Sequence, residues 1–185
     1  MPPKIEFDPV AHIYLVDGVV RPSVTQILKF SGLIQDRFYT EESRQFGIAV
    51  HKACEYLDRG TLKRSSLHPR VAPRVEAWEL FKKETNFHPT RIEDVVYNET
   101  YQYCGTLDRA DEETVVDIKT GVVQPWTALQ LAGYEKALPS LTINRFRIAV
   151  ELKEDGSYKA TRFGEPNDYN QFLSCVSNFY WAKNH

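Results

Sequence analysis

The chain has 185 residues, of which 42% are hydrophobic and 26% charged, so we expect one soluble globular domain with a substantial core. Its 23 basic and 25 acidic residues give a net charge of −2 at pH 7, which excludes nucleic-acid binding through the overall field and leaves only a local patch. The first residues lack the apolar run of a signal peptide and no stretch is long enough to span a membrane, so we expect a cytoplasmic protein without a membrane partner.

The three cysteines predict free thiols and no metal cluster. Cys54, Cys104 and Cys175 lie far apart in the sequence and form no Cys-x-x-Cys pair. This spacing provides no ligand framework for a zinc ribbon, and we expect no iron–sulfur cluster. Unpaired cysteines are typical of a reducing compartment, which agrees with a cytoplasmic location.

The first half of the chain predicts a β-hairpin followed by three helices. Residues 4–20 form the hairpin, in which the Asp17-Gly18 pair supplies a positive-φ turn. Ser23 can cap a short helix over 24–30, and Thr40 begins a longer helix that ends at Arg59-Gly60. A polar stretch then leads to a third helix over about 71–85.

The second half predicts a sheet with one crossover helix. Strands are expected over 95–97 in the segment that begins at Arg91, then over 103–110, 114–118, 144–152 and 157–163. Helices are expected over 126–138 and 167–182, and the first of these favours a parallel pair between the strands that it connects. We therefore predict an α/β fold with a central mixed β-sheet flanked by helices. Residues 1–185 form a single domain, in which 1–39 hold the N-terminal hairpin and helix and 40–185 hold the core.

One predicted hairpin places two acids face to face. If Asp111 to Thr114 form a four-residue turn, Asp108 lies opposite Asp117 with Cβ atoms about 4.5–5.5 Å apart. Two carboxylates that close repel each other unless a divalent cation lies between them, and Lys119 falls on the same face as Asp117. An ammonium group there can orient water and stabilise a phosphate, as phosphodiester hydrolysis requires. The residues alone leave open a solvated hairpin with charged outer side chains, although strand propensity disfavours an acid at position 117.

Four motifs occur in an order that indicates a known family. They are Gly47-Ile48-Ala49-Val50-His51, Gly105-Thr106-Leu107-Asp108, Asp117-Ile118-Lys119-Thr120-Gly121 and Gln130-Leu131-Ala132-Gly133-Tyr134. Over residues 44–134 they resemble the PD-(D/E)xK nuclease superfamily, in particular its RecB-type exonuclease branch. The N-terminal segment, with His12-Ile13-Tyr14, is similar to compact stand-alone nucleases of this group found in bacteriophages, which would act in a host cytoplasm. The resemblance implies a restriction-endonuclease-like core and metal-dependent hydrolysis of DNA.

The resemblance also implies a role for each matching residue of the site. Asp108 and Asp117 would bind Mg²⁺ or Mn²⁺ together with the main-chain carbonyl of Ile118, and His51 would complete the set of metal ligands. Lys119 would position the attacking water and support the transition state, so the predicted catalytic residues are Asp108, Asp117 and Lys119. Two further acids are open to interpretation as ligands or as surface charges, and they are Glu55 and Glu99.

Substrate contacts are predicted on three further segments. The resemblance implies that Gln130 and Tyr134 line the cleft and hold the substrate, since they lie one turn apart on a helix. Arg44 can reach a phosphate or be solvated. The stretch between residues 59 and 75 holds five basic residues and no acid, so Lys63 and Arg64 can follow a DNA backbone or belong to a solvated loop.

These observations predict a Mg²⁺- or Mn²⁺-dependent deoxyribonuclease. An exonuclease that acts from DNA ends is preferred, because of the resemblance of the Gln-x-x-x-Tyr helix alone. A structure-specific or nicking endonuclease stays open, and so does a DNA-binding protein that has lost turnover, although the complete set of catalytic residues disfavours the latter. The expected partner is DNA that is single-stranded or has free ends. The chain lacks a helicase domain, so a helicase or recombination protein is a candidate second partner.

Overall fold

The N-terminal strands form a small sheet of their own. In the computed structural model, which describes residues 2–35, 40–139 and 145–185, the antiparallel strands are β1 (Ile5–Asp8), β2 (Ile13–Val16) and β3 (Val19–Arg21). Asp17 and Gly18 turn the chain with φ of 50° and 76°, which confirms the predicted positive-φ turn. The hairpin prediction missed β3, because three residues are too few to show an alternating pattern and only the pairing with β2 reveals the strand.

The helices of the first half begin at their predicted capping residues. Ser23 accepts a hydrogen bond from the Gln26 N–H, and the Gln26 side chain accepts one from the Ser23 N–H in return. The Thr40 side chain caps the next helix by accepting a hydrogen bond from the Ser43 N–H, and Asn86 in the left-handed region ends the third. The helices are α1 (Val24–Phe30), α2 (Glu41–Asp58) and α3 (Ala72–Thr85), with a short 3₁₀ turn at Arg64–Ser66.

A five-stranded mixed sheet forms the centre of the molecule. Its strands, in spatial order, are β4 (Arg91–Asn98), β5 (Tyr103–Ala110), β6 (Thr114–Lys119), β7 (Phe146–Leu152) and β8 (Tyr158–Phe163). Neighbouring strands are antiparallel except β6 and β7, which are parallel and are joined through α4 (Thr127–Ala137), as predicted. The last helix is α5 (Asp168–Asn184). The first residue of the predicted strand 144–152 lies outside the described residues.

Helices cover both faces of this sheet, which confirms the predicted α/β class. On one face, Val116 and Ile118 pack with Val50 of α2 and with Trp78 of α3. On the other face, α1, α4 and α5 pack together over a second core that includes Val24, Leu131, Phe172 and Val115. Within the described part of the chain, we find no helix with the length and apolar character needed to cross a membrane.

Candidate active site

The turn between β5 and β6 brings Asp108 opposite Asp117. Arg109 pairs with Val116 and Ala110 pairs with Val115, which is the register predicted from a four-residue turn. The ladder ends at Arg109, and beyond it Asp108 Oδ2 accepts a hydrogen bond of 2.6 Å from the Ile118 N–H. The main chain of Ile118 therefore fixes one oxygen of Asp108 and leaves Oδ1 to face other groups.

Three possible metal ligands form a compact cluster around that free oxygen. His51 Nδ1 lies 3.5 Å from Asp108 Oδ1 and 4.0 Å from Glu93 Oε1. One ligand atom from each of these three residues lies within 4.8 Å of the other two. His51 reaches the cluster from α2, whereas Glu93 and Asp108 reach it from neighbouring strands. Asp117 lies beside the cluster without being part of it.

Glu93 was not among the residues predicted from the sequence. β4 pairs Ile92 with Arg109 and Asp94 with Leu107, so Glu93 lies opposite Asp108. Glu93, Asp108 and Asp117 thus form a row of acids across three adjacent strands. The same counting that located Asp117 could have found Glu93, because the β4–β5 turn also has four residues, 99–102. Glu99, the acid considered instead, lies in that turn at the far end of both strands.

Lys119 is held at the edge of the cleft by three groups. Its Nζ lies 2.7 Å from Asp117 Oδ2, donates to Gln130 Oε1 at 3.1 Å, and lies 5.0 Å from the centre of the Trp126 ring. Asp117 is almost fully buried, whereas the Lys119 side chain keeps 22% of its surface exposed. An ammonium group has three donors, so Lys119 retains donor capacity toward a molecule in the cleft.

The pKa values of the two aspartates shift in opposite directions. Burial by itself would raise the pKa of Asp108, but His51, Lys119 and the Ile118 N–H outweigh it and lower that pKa. Burial raises the pKa of Asp117 to about 6, and the Asp108 charge adds to this rise while Lys119 opposes it. Burial lowers the pKa of His51, but Asp108 and Glu93 raise it to a net value of about 9. The neighbouring carboxylates therefore favour positive charge at this place.

Gln130 and Tyr134 are both nearly buried but differ in position. Gln130 lines the inner cleft, whereas Tyr134 lies in the core and is not among the described lining residues. The Tyr134 hydroxyl accepts a hydrogen bond of 3.3 Å from Gln130 Nε2. Tyr134 itself packs on Gly105, where an added Cβ would lie 2.5 Å from the Tyr134 ring. Tyr134 thus supports Gln130 from the core, and through it Lys119.

Two clefts meet at His51. The inner cleft, of about 410 Å³, is lined by α1, β6 and the segment that follows β6, and it includes Asp108, Asp117, Ile118, Lys119 and Gln130. The outer cleft, of about 930 Å³, runs between α2 and the N-terminal sheet, and it includes Phe7, Arg44, Phe46, Lys52, Arg59 and Glu93. His51, Thr120 and Gly121 line both clefts. The N-terminal segment is therefore part of the site.

The predicted basic contacts fall into two groups. Arg44 lines the outer cleft and has a half-exposed side chain. Lys63 and Arg64 line neither cleft, and Arg64 forms an ion pair with Glu79 of α3. Glu55, the second acid left open, lines the outer cleft but forms ion pairs with Lys52 and Arg59.

The residues of the cluster fit a divalent metal ion. Carboxylate oxygens are the donors that Mg²⁺ and Mn²⁺ prefer, and imidazole is a common further ligand for Mn²⁺. Three acids in a row across a sheet repel each other in a partly buried place, which a cation relieves. His51, Glu93 and Asp108 are the residues that would hold it, with Asp117 alongside.

Comparisons with known proteins concern the fold. The chain is similar to the crystal structure of an alkaline exonuclease from Laribacter hongkongensis, with a TM-score of 0.51, 14% identity, and coverage of 88% of this chain and 87% of that chain. A structure of the same exonuclease in complex with dAMP gives a TM-score of 0.45 and 16% identity, over 88% and 87% of the two chains. No model of a known protein family matches the sequence, and no curated protein matches it. The chain therefore has a mixed α/β fold similar to that of the alkaline exonuclease.

Proposed function

We propose that this chain is a metal-dependent deoxyribonuclease that degrades DNA from its ends. The observation that carries the proposal is the cluster of His51, Glu93 and Asp108 directly beside the Lys119–Asp117 pair, where the inner and outer clefts meet. Its fold is similar to that of an alkaline exonuclease, and its four sequence motifs resemble the RecB-type branch of the PD-(D/E)xK superfamily. We propose that it belongs to that branch.

A bound Mg²⁺ or Mn²⁺ ion would polarise the scissile phosphate and lower the pKa of the attacking water. His51, Glu93 and Asp108 would hold the cation, with Asp117 and the Ile118 carbonyl as further ligands. The imidazole favours a site that accepts Mn²⁺ as well as Mg²⁺.

Lys119 supplies the positive charge that the reaction needs next to the metal. Asp117 and Gln130 fix its ammonium group, and the Trp126 ring packs beside it. A donor already oriented toward developing negative charge stabilises a transition state without further reorganisation. Lys119 would therefore hold the water and neutralise the phosphate oxygen on which charge accumulates.

The DNA strand would approach through the outer cleft. This cleft opens onto His51 and combines the aromatic rings of Phe7 and Phe46 with the cationic groups of Arg44 and Lys52. Aromatic faces stack on bases and cations contact phosphates, which suits a single strand. A helicase or recombination protein would supply DNA ends or unwound strands.

Charge reversal in the outer cleft is expected to weaken DNA binding. The double variant Arg44→Glu/Lys52→Glu should lower affinity for single-stranded DNA and reduce the slope of log K against log salt by about 1–2, because each lost phosphate contact removes about 0.7 from the slope. Fluorescence anisotropy across a salt series in Ca²⁺ measures both quantities.

Lys63→Glu/Arg64→Glu is the matched control, because it changes the net charge equally at residues that line neither cleft. A smaller effect is expected from it. If this control loses more affinity than the cleft variant, the DNA follows the 59–75 segment instead, which is the path that the basic sequence pattern allows.

The proposed activity is tested with end-labelled linear DNA, single- and double-stranded, and with closed circular DNA, each with Mg²⁺, Mn²⁺ or EDTA. We expect release of short products from linear DNA only, and only with metal. Cleavage of the closed circle would favour the endonuclease alternative. DNA binding without cleavage under any metal condition would favour the catalytically silent DNA-binding protein. The complete set of predicted catalytic residues, Asp108, Asp117 and Lys119, disfavours that alternative.

A further inference from the structure

A fully buried ion pair, Arg109 with Asp58, lies next to the proposed cluster of metal ligands. Arg109 Nε donates to Asp58 Oδ2 at 2.6 Å, and both side chains have no exposed surface. Asp58 also accepts hydrogen bonds from the Trp78 indole N–H and from Lys82, so its carboxylate is held from three sides. The network therefore fixes the guanidinium of Arg109 in one position.

From that position Arg109 reaches the cluster of possible metal ligands. Its Nη1 donates to Glu93 Oε1 at 2.8 Å, and to the main-chain carbonyl of Asp108 at 2.6 Å. Oε1 is also the Glu93 oxygen that lies 4.0 Å from His51. Arg109 thus contacts two of the three residues of the cluster through a single nitrogen.

The backbone at Glu93 needs such support. Glu93 has a φ of 49°, in the left-handed region that side chains rarely adopt. Opposite it, the alternation of β5 breaks, because Leu107 and Ala110 both pack into the same core although they are three residues apart. A glutamate in a distorted strand, beside a second carboxylate, would turn away from the acid row unless a cationic group held it there.

We propose that Arg109, anchored by Asp58, is a positioning residue that fixes the Glu93 carboxylate beside His51 and Asp108 before a metal ion binds. Asp58 and His51 lie seven residues apart on α2, two helical turns, so one helix carries both a metal ligand and the anchor of Arg109. The network ties α2, β4 and β5 together at the point where all three supply ligands. This inference rests on the proposed function in taking the cluster as a metal site.

A purely structural role explains the network less well. Buried ion pairs are expensive to desolvate, and apolar side chains of similar volume often stabilise a core equally well. Arg109 Nη2 is buried and has no hydrogen-bond partner among the described residues, so the guanidinium is not arranged to satisfy all its donors. The guanidinium is instead placed so that Nη1 donates a hydrogen bond to Glu93.

Metal affinity measured without DNA tests this inference. Calorimetric titration of Mn²⁺ into the EDTA-stripped full chain should show about 10- to 100-fold weaker binding for Arg109→Gln, as is typical when a partner that orients a ligand is lost. Glu93→Ala should weaken binding at least as much. The double variant should bind no more weakly than Glu93→Ala alone, because Arg109 acts through Glu93.

A matched control separates positioning from general loss of stability. Arg147 is also a buried arginine, paired with Asp168 at 3.0 Å and near Glu135, but it lies outside the network. Arg147→Gln should lower the melting temperature and leave Mn²⁺ affinity unchanged. If Arg109→Gln does not fold, Asp58→Asn replaces it in the same cycle and should weaken Mn²⁺ binding by a smaller factor.

The inference is overturned if the folded Arg109 or Asp58 variant binds Mn²⁺ like the wild type, or if its effect adds fully to that of Glu93→Ala. Failure of the proposed function would look different. Wild-type protein that binds Mn²⁺ but cleaves no DNA would contradict the nuclease proposal while leaving the positioning role of Arg109 intact.

Discussion

Lys119→Met is expected to lower the rate of DNA cleavage by about 100- to 1,000-fold, because it removes the ammonium group held at the acids of the cleft. Methionine keeps the length of the chain that packs beside Trp126, but it leaves the buried Asp117 carboxylate without its counter-ion, so we expect a lower melting temperature as well. Asp117→Asn is expected to cause a similar loss of activity, since it removes the partner that orients Lys119.

Asp117→Asn should fold at least as stably as the wild type in EDTA. The Asp117 carboxylate is buried next to Asp108, and this environment raises its pKa to about 6, so the charged form is disfavoured there. An amide of the same shape removes that repulsion. Single-turnover cleavage of end-labelled DNA with Mg²⁺, together with thermal unfolding, measures both effects.

Two variants with the same chemical changes serve as controls. Lys136→Met alters a partly exposed lysine that pairs with Glu135, and Asp155→Asn alters an exposed acid of the β7–β8 turn. Both should cleave DNA like the wild type. Persistent hydrolysis in purified Lys119→Met and Asp117→Asn would show that the reaction occurs elsewhere.

Gly105→Ala is expected to destabilise the fold and to impair the site together. The new Cβ would lie 2.5 Å from Cε1 of the buried Tyr134 ring, closer than side chains approach. Overpacking of a core typically costs about 1–3 kcal/mol, which corresponds to roughly 2–4 °C of melting temperature per kcal/mol for a chain of this size. Because Tyr134 supports Gln130 and Gln130 supports Lys119, cleavage should fall as well.

A second substitution distinguishes this clash from other effects. Tyr134→Leu on the Gly105→Ala background removes the ring and should recover part of the lost stability, whereas Tyr134→Phe retains the clashing carbon and should recover none. Gly164→Ala is the control, because no atom of the described residues lies within 4 Å of the place that its new Cβ would take, and its φ is ordinary. Equal melting temperatures for Gly105→Ala and the wild type would contradict the close packing at this position.

Local sequence patterns were enough to predict the elements and one half of the site. The four residues between Ala110 and Val115 set the register that places Asp108 opposite Asp117, because a hairpin's pairing depends on the length of its turn. Ser23 and Thr40 mark helix starts through hydrogen bonds to residues three positions away. A helix between β6 and β7 implies a parallel pair, since the chain must cross over the sheet.

Tertiary packing decided how the rest of the site is assembled. Turn counting places Glu93 opposite Asp108, but His51 joins them only because α2 packs against the sheet, and Arg109 can hold Glu93 there only because α2 also brings Asp58 to it. Neither the positive φ of a glutamate nor an ion pair between residues 58 and 109 leaves a periodic signal in the sequence. Turn lengths and caps depend on neighbours along the chain, whereas these contacts depend on which surfaces meet once helices and sheet have packed.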